Sequence, residues 1–241
     1  MAKRFYSPDL AELHNLYYSD FVENAAPGAI AALGKAGIRS GVVLDLGCGG
    51  GQLSSRLLQA GYKPVGVDVS PAMIRLARRR VPKERFVCGS ITDIALPRCS
   101  AAAAIGEIFN YLPSKAAIRR AFRNVFRSLE PGGLLVFDIK EPLPGAEKKS
   151  RSTTRRGDDW AIFVEVEEDP EKQRLTRKIV SFRREGTLYR RCDEVHRQVI
   201  LEAAEVVAML EDAGFRVDVF PGYRSFRLSD DRKMLIARKQ T

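Results

Sequence analysis

The chain predicts an α/β fold: a doubly wound, mostly parallel sheet interrupted by an antiparallel insertion. Three observations lead there. Short apolar runs alternate with amphipathic helical patterns from residue 42 to residue 140. The stretch "VVLDLGCGGG" (42–51) sets a strand suited to burial on both faces against a glycine turn and a helix start. Residues 141–200 then break the rhythm and read mainly as long strands separated by turns. Alternating strands and helices need crossover connections, and such crossovers build parallel sheets covered by helices.

Each element has its own signal. Val42, Val43, Leu44 and Leu46 give the first strand, and "QLSSRLLQAG" spaces Leu53, Leu57 and Leu58 at helical intervals before Gly61 ends the helix. "PVGVDVS" (64–70) is a second strand, and "SPAMIRLARRR" opens a helix with Ser70 as N-cap and Pro71 in its first turn. "RFVCGS" (85–90) follows as a third strand. "AAAAIGE" (101–107) is a fourth, against the helical preference of alanine. A helix over 114–129 stops before Pro131-Gly132-Gly133, and "LLVFDIK" (134–140) is the fifth strand. Residues 141–159, rich in Pro, Gly, Ser and charge, read as a mobile loop. "WAIFVEVEE", "QRLTRKIVSFRRE" and "TLYRRCDEVHRQVI" form a meander with turns at Asp169-Pro170 and Glu185-Gly186. A helix near 202–213, closed by Gly214, returns the chain to strands "FRVDVFP" and "KMLIARK".

At 241 residues, 45% hydrophobic, the chain suits one domain with an elaboration. No run is apolar for long enough to cross a bilayer, and the basic start "MAKRFYSPDL" lacks the hydrophobic stretch of a signal peptide. The four cysteines, Cys48, Cys88, Cys99 and Cys192, show no CxxC spacing, so the reading is reduced thiols in a cytoplasm, with no zinc site. A net charge of +10 raises nucleic acid as a partner. The excess is local: residues 1–140 hold 19 basic and 11 acidic side chains (+8), and 141–241 hold 21 and 19 (+2). It sits mainly in "RLARRRVPKER" and "KAAIRRAFRNVFR", which read as helices with dispensable, solvated basic faces.

The glycine turn discriminates between cofactor classes. A dinucleotide site wants G-x-G-x-x-G, whereas here Gly47, Gly49 and Gly51 are followed by Gln52, so the third glycine fails. What stands instead is Asp45-x-Gly47-x-Gly49-x-Gly51. With that motif the sequence resembles the class I S-adenosylmethionine-dependent methyltransferases, whose first motif is an acid followed by alternating glycines. "VGVDVSPAMIRLARRR", "CGSITDIALP", "IGEIFNYLP" and "FRSLEPGGLLVFDI" extend the resemblance, which covers roughly residues 5–140 and 200–240.

The resemblance implies a Rossmann-like sheet of seven strands with a reversed last hairpin, and "FRVDVFPGYRSFRLSDDRKMLIARK" suits that hairpin. Residues 141–199 become an insertion forming a substrate lid. It implies S-adenosyl-L-methionine as cofactor, held by Asp45, Gly47, Cys48, Gly49 and Gly51, with free amides of the turn facing the ligand. Asp68 would hold the ribose, where a carboxylate can accept both hydroxyls. Val69 and Met73 would wall the adenine, Ser90 and Ile91 would lie beside the ring, and Glu107 and Asn110 would line the methionine end.

A sulfonium methyl is already electrophilic, so alignment of an acceptor is the protein's main task, with a base useful for a hydroxyl or protonated amine. The two histidines are the candidates. Period-2 alternation puts Glu194, His196 and Gln198 on one strand face, as a catalytic row or a solvated one. His14, in "LAELHNLYY" beside Tyr17 and Tyr18, stands near a place where relatives often carry tyrosine; with Tyr6 this segment is expected to close over the cofactor. Trp160, Phe163 or Tyr189 is expected to give the acceptor apolar contact. The expected partner is a small-molecule acceptor, methylated on nitrogen or oxygen. An RNA or protein methyltransferase is the alternative, though the Asn/Asp-Pro-Pro-aromatic motif is absent and Cys99 follows Arg98 rather than proline. A non-enzymatic binding module is a third reading.

Overall fold

A computed structural model describes residues 5–17, 19–142 and 147–240. Two N-terminal helices, α1 (Pro8–Tyr17) and α2 (Ser19–Lys35), precede the alternating unit. This runs β1 (Val42–Leu46), α3 (Gln52–Gln59), β2 (Lys63–Asp68), α4 (Pro71–Arg80), β3 (Arg85–Cys88), β4 (Cys99–Ala104), a 3-10 turn (Ile108–Tyr111), α5 (Lys115–Ser128) and β5 (Leu129–Lys140). Four strands follow: β6 (Lys149–Arg156), β7 (Trp160–Asp169), β8 (Arg174–Glu185) and β9 (Leu188–Val199). The chain closes with α6 (Ala203–Glu211), β10 (Phe215–Phe220), the short hairpin β11 (Gly222–Tyr223) and β12 (Phe226–Arg227), and β13 (Arg232–Lys239).

The main sheet has the order β10-β13-β5-β4-β1-β2-β3. Strands β1 to β5 are mutually parallel, and β13 runs antiparallel to both β5 and β10. The expected seven-stranded sheet with a reversed last hairpin is therefore present. Its strand order reverses between β1 and β4, which is where doubly wound sheets open a crevice for ligands.

Alternation along the strands divides the core between two faces. Leu44, Leu46, Ala102, Ala104, Leu135 and Phe137 pack with α5 and α6, while Val43, Ala101, Ala103, Leu134 and Val136 pack with α2 and α3. The alanines of β4 form a strand because it is central: every one of Ala101–Ala104 is buried between neighbours on both edges and helices on both faces. Tertiary packing outweighs their helical preference.

The second sheet, β6-β7-β8-β9, is antiparallel throughout. Here one expectation is corrected. Part of the supposed mobile loop, Lys149–Arg156, is an edge strand paired along its length with β7. All eight of its residues are exposed, so no apolar alternation marked it. Its charges are what an unprotected sheet edge favours. Helix α1 is wedged between the two units: Leu10 and Leu13 pack on Trp160, Ile162 and Ile179, while Ala11 packs on Ala72 and Met73 of α4.

Candidate active site

The glycine turn follows β1 at the strand-order reversal, and its amides are not free as expected. Gly47 N and Cys48 N donate to the Val67 carbonyl at 2.7 and 3.0 Å, Gly49 N donates to Asp68 Oδ2 at 3.0 Å, and Gly51 N donates to the Cys48 carbonyl at 2.9 Å. The turn is braced against β2 and offers a bare surface instead. A Cβ on Gly49 would meet nothing closer than Met73 Sδ at 4.0 Å, and its φ of +51° favours glycine. Gly51 does a different job. With φ +79°, it lies where a Cβ would come within 3.1 Å of Ala77 Cα, so it lets α3 and α4 pack closely. Gly47 is covered by Ile108. Gly49 is thus the glycine of the three with an open face.

The two acids differ in setting. Asp45 is buried and accepts a 2.6 Å hydrogen bond from Ser54 Oγ, and burial pushes its carboxyl up to about 7 despite that bond. Asp68 is half-buried at the carboxyl end of β2, accepting from Gly49 N on one oxygen and from Ser70 N, at 2.7 Å, on the other. Burial raises its pKa, and the amides of Ser70, Gly49 and Val69 oppose that rise. Each oxygen keeps lone pairs for a diol, which Asp45 beneath the turn does not present.

Several expected cofactor residues turn out to serve the core. The Cys48 side chain packs with Ile74, Ala77, Val81 and Phe86, and burial lifts its thiol well above the ordinary value. Met73 is buried under α1, though beside Gly49, and Ile91 belongs to the main core with its carbonyl accepting from Asn124 Nδ2. Val69 is exposed beside Asp68 and remains available as an apolar wall. Ser90 is half-buried, with its Oγ engaged to Thr92. Asn110 is a clamp: Nδ2 donates to the carbonyls of Lys140 and Val199, and Oδ1 accepts from Lys140 N. Its amide ties the 3-10 turn to the end of β5 and the end of β9, leaving little for a ligand.

The predicted polar row is buried, not solvated. Glu194, His196 and Gln198 alternate inward along β9. Glu194 bonds His196 Nε2 at 2.9 Å and accepts Tyr6 N and Ser7 N at 2.8 and 2.7 Å. Burial works against its carboxylate, but the bonds from His196 and Ser7 prevail and leave its pKa below the ordinary value. With Glu194 ionised and able only to accept, the hydrogen of this bond belongs to His196 Nε2. Gln198 Nε2 donates to Glu107 Oε2 at 2.8 Å, which brings the row to the end of β4. Arg177 Nη2 and Arg232 Nη2 flank the same carboxylate at 3.5 and 2.5 Å.

The N-terminal segment does close over this region. The Tyr6 ring lies edge-on to His14 at 4.8 Å and to His196 at 4.9 Å, and the Tyr6 carbonyl accepts from Ser70 Oγ at 3.2 Å. One residue thereby joins the Asp68 loop to the Glu194–His196 pair. His14 is held neutral: burial first, then the neighbouring His196 and Arg177, lower its pKa to about 4. Tyr18 and the Tyr17 side chain lie outside the described residues.

The insertion's aromatics are a correction. Trp160 is buried against α1, while Phe163 and Tyr189 are exposed on the opposite face of the sheet from Glu194 and His196. A second correction concerns the basic helix face of α4. Arg80 Nε donates to the Gly50 carbonyl at 2.8 Å and its Nη2 to Asn15 Oδ1 at 3.1 Å, so this arginine braces the glycine turn. Residues that the sequence reading missed are Tyr111, Arg177, Arg232, Asp138 and Tyr223. Arg177 had a signal, since it pairs with His196 across β8 and β9.

An open glycine surface at the reversal, an acid ending β2 and this strand order support a class I S-adenosylmethionine-dependent methyltransferase. The comparisons agree. The model of the Methyltransferase domain family matches residues 43–133. A dTDP-4-amino-2,3,4,6-tetradeoxy-D-glucose N,N-dimethyltransferase of Saccharopolyspora spinosa is 28% identical over 238 residues, 90% of this chain and 89% of the relative. The fold is shared with an S-adenosylmethionine-dependent methyltransferase from Clostridium acetobutylicum ATCC 824, at TM-score 0.82 and 19% identity over 97% and 98% of the two chains. It is shared too with the sugar N-methyltransferase KedS8 from Streptoalloteichus sp ATCC 53650, at TM-score 0.81 and 18% identity over 100% and 98%. Among the described residues no helix is long and apolar enough to cross a membrane.

Proposed function

We propose that this methyltransferase acts on the amine of a small polar acceptor bound beneath the β6–β9 sheet, with His196 as proton acceptor. One observation carries the reading: β9 sets a buried carboxylate–imidazole pair in line with Gln198, which bonds Glu107 at the end of β4, while Tyr6 links the pair to the Asp68 loop. The residues fit the methyl donor, since Gly49 leaves backbone bare and Asp68 keeps acceptor capacity for a ribose. When bound, S-adenosyl-L-methionine supplies an electrophilic methyl group. Gly49, Asp68 and Val69 hold its nucleoside part, with Ser90 nearby, and Glu107 faces its far end.

The chain's own part in the chemistry is to orient the acceptor and remove a proton. Glu194 fixes the imidazole through Nε2, and His196 Nδ1 receives the proton that the acceptor sheds. Tyr6, Phe5 and Tyr111 pack around that ring, with centroid separations of 4.9, 5.3 and 6.2 Å, and keep water from it. His14, uncharged at neutral pH, completes the apolar surround without competing for the proton. An amine is favoured over a hydroxyl because the relative and the structural neighbour named above methylate amino sugars or sugar nitrogens by name.

The test is a methyl-transfer screen over amino sugars, free and nucleotide-linked, with other small amines, hydroxy acids and phenols, read by release of S-adenosylhomocysteine. Turnover confined to amines supports the reading. Turnover on hydroxyl acceptors, or only on RNA or protein, contradicts it.

A further inference from the structure

Asp138, near the end of β5, is a fully buried carboxylate outside the row just described. It accepts three hydrogen bonds: Gly106 N at 2.8 Å and Tyr223 Oη at 2.7 Å on Oδ1, and Glu107 N at 2.9 Å on Oδ2. Two of these donors belong to the turn that ends β4, whose residues Gly106 and Glu107 have φ +101° and +62°. The left-handed region disfavours a residue that carries a side chain, so it persists only where the surroundings impose it. Here two successive amides on one carboxylate impose it.

The third donor fixes the carboxylate itself. Tyr223, on the short hairpin strand β11, is buried, and its backbone and Cβ lie against Gly28 of α2 so closely that a Cβ there would come within 2.7 Å. Its hydroxyl therefore has little freedom to turn away from Asp138. Held in this way, Glu107 presents its carboxylate to Gln198 on β9, Arg177 on β8 and Arg232 on β13.

We propose that Asp138, buttressed by Tyr223, is a positioning residue for methyl transfer, locking the Gly106–Glu107 turn so that Glu107 faces the amino-acid end of the bound donor. The proposal rests on the placement of Glu107 given above. Asp138 touches neither donor nor acceptor; its influence passes through Glu107.

The test is calorimetry with two ligands. S-adenosylhomocysteine carries the amino-acid end, and 5′-methylthioadenosine has the same nucleoside and sulfur without it. Asp138→Asn turns an acceptor into a donor toward one of the two amides, and is expected to weaken S-adenosylhomocysteine about tenfold while leaving methylthioadenosine within about twofold. Tyr223→Phe is expected to shift selectivity in the same direction by less, and it carries the test alone if Asp138→Asn does not fold. In a Glu107→Ala background, Asp138→Asn is expected to add under about twofold, as residues acting through one another do. Equal losses on both ligands, or full additivity with Glu107→Ala, would make Asp138 a structural acid and overturn the proposal. If Glu107→Ala alone fails to discriminate between the ligands, the placement of Glu107 falls first; if it discriminates while Asp138→Asn does not, only the positioning role falls.

Discussion

Asp45 and Asp68 stand at the carboxyl ends of adjacent strands, and their surroundings give them opposite tasks. Asp45 is sealed under the glycine turn with Ser54, and burial takes its carboxyl to about 7. A raised carboxyl means that its contribution to stability is complete below the unfolded pKa of 3.8 and is lost as pH rises toward 7. Asp45→Asn keeps an acceptor for Ser54 and cannot ionise. Its melting temperature should match the wild type near pH 4 and exceed it by at least about 3 °C at pH 8, a small shift for a chain of this size. A difference independent of pH would show that Asp45 does not titrate in this range. His196 is the residue on which turnover should depend. His196→Ala should lower methyl transfer about 10²-fold, as loss of a proton acceptor does, and Glu194→Gln by a similar or smaller factor. Affinity for S-adenosylhomocysteine should stay within a few-fold in both, since neither side chain joins the glycine turn or Asp68. Normal turnover of an acceptor by both variants would remove the pair from the mechanism.

At the scale of elements, the site depends on how the insertion sheet is fastened to the core. Asn110 is one fastener, with three hydrogen bonds to the backbone of Lys140 and Val199. Lys140 is another, a buried ammonium paired with Glu168 of β7 at 3.0 Å and Asp231 at 2.7 Å. Asn110→Ala leaves buried peptide groups unsatisfied and should cost about 3 kcal/mol in urea denaturation; a loss below about 1 kcal/mol would mean that water replaces the amide there. Much at this scale could be read from the chain. The turn at Glu185–Leu188 fixes the β8–β9 register, and eight residues back from one and forward from the other reach Arg177 and His196. That count places a cation opposite the imidazole, a pairing open to the sequence reading but not drawn from it. β6 was not legible, because a strand exposed along its whole length carries no apolar period. The faces of Phe163 and Tyr189 followed from the same alternation that put Glu194 inward, and strand parity, not aromatic character, decides which residues reach the site.

Over the whole molecule, the seven-stranded sheet with its reversed last hairpin was legible through the family resemblance, which rests on local features: a glycine turn after a buried strand and an acid ending the next strand. Contacts between distant segments were not. Tyr6 meeting Glu194, Tyr223 meeting Asp138 and Arg80 meeting Gly50 each join residues that no local period connects. The same holds for the expected free amides, which Val67 and Asp68 engage from the neighbouring strand. The floor of the candidate site is the glycine turn and Asp68, and Tyr6 ties it to the insertion sheet through Ser70 and Glu194. This floor is expected to hold the methyl donor. Calorimetric titration of S-adenosylhomocysteine into the wild type and Asp68→Ala measures it most directly. Binding to the wild type, weakened at least tenfold in the variant through loss of two hydrogen bonds worth about 1.5–3 kcal/mol each, is the predicted result. Equal affinity in both proteins, or a preference of the wild type for NADH, would contradict it.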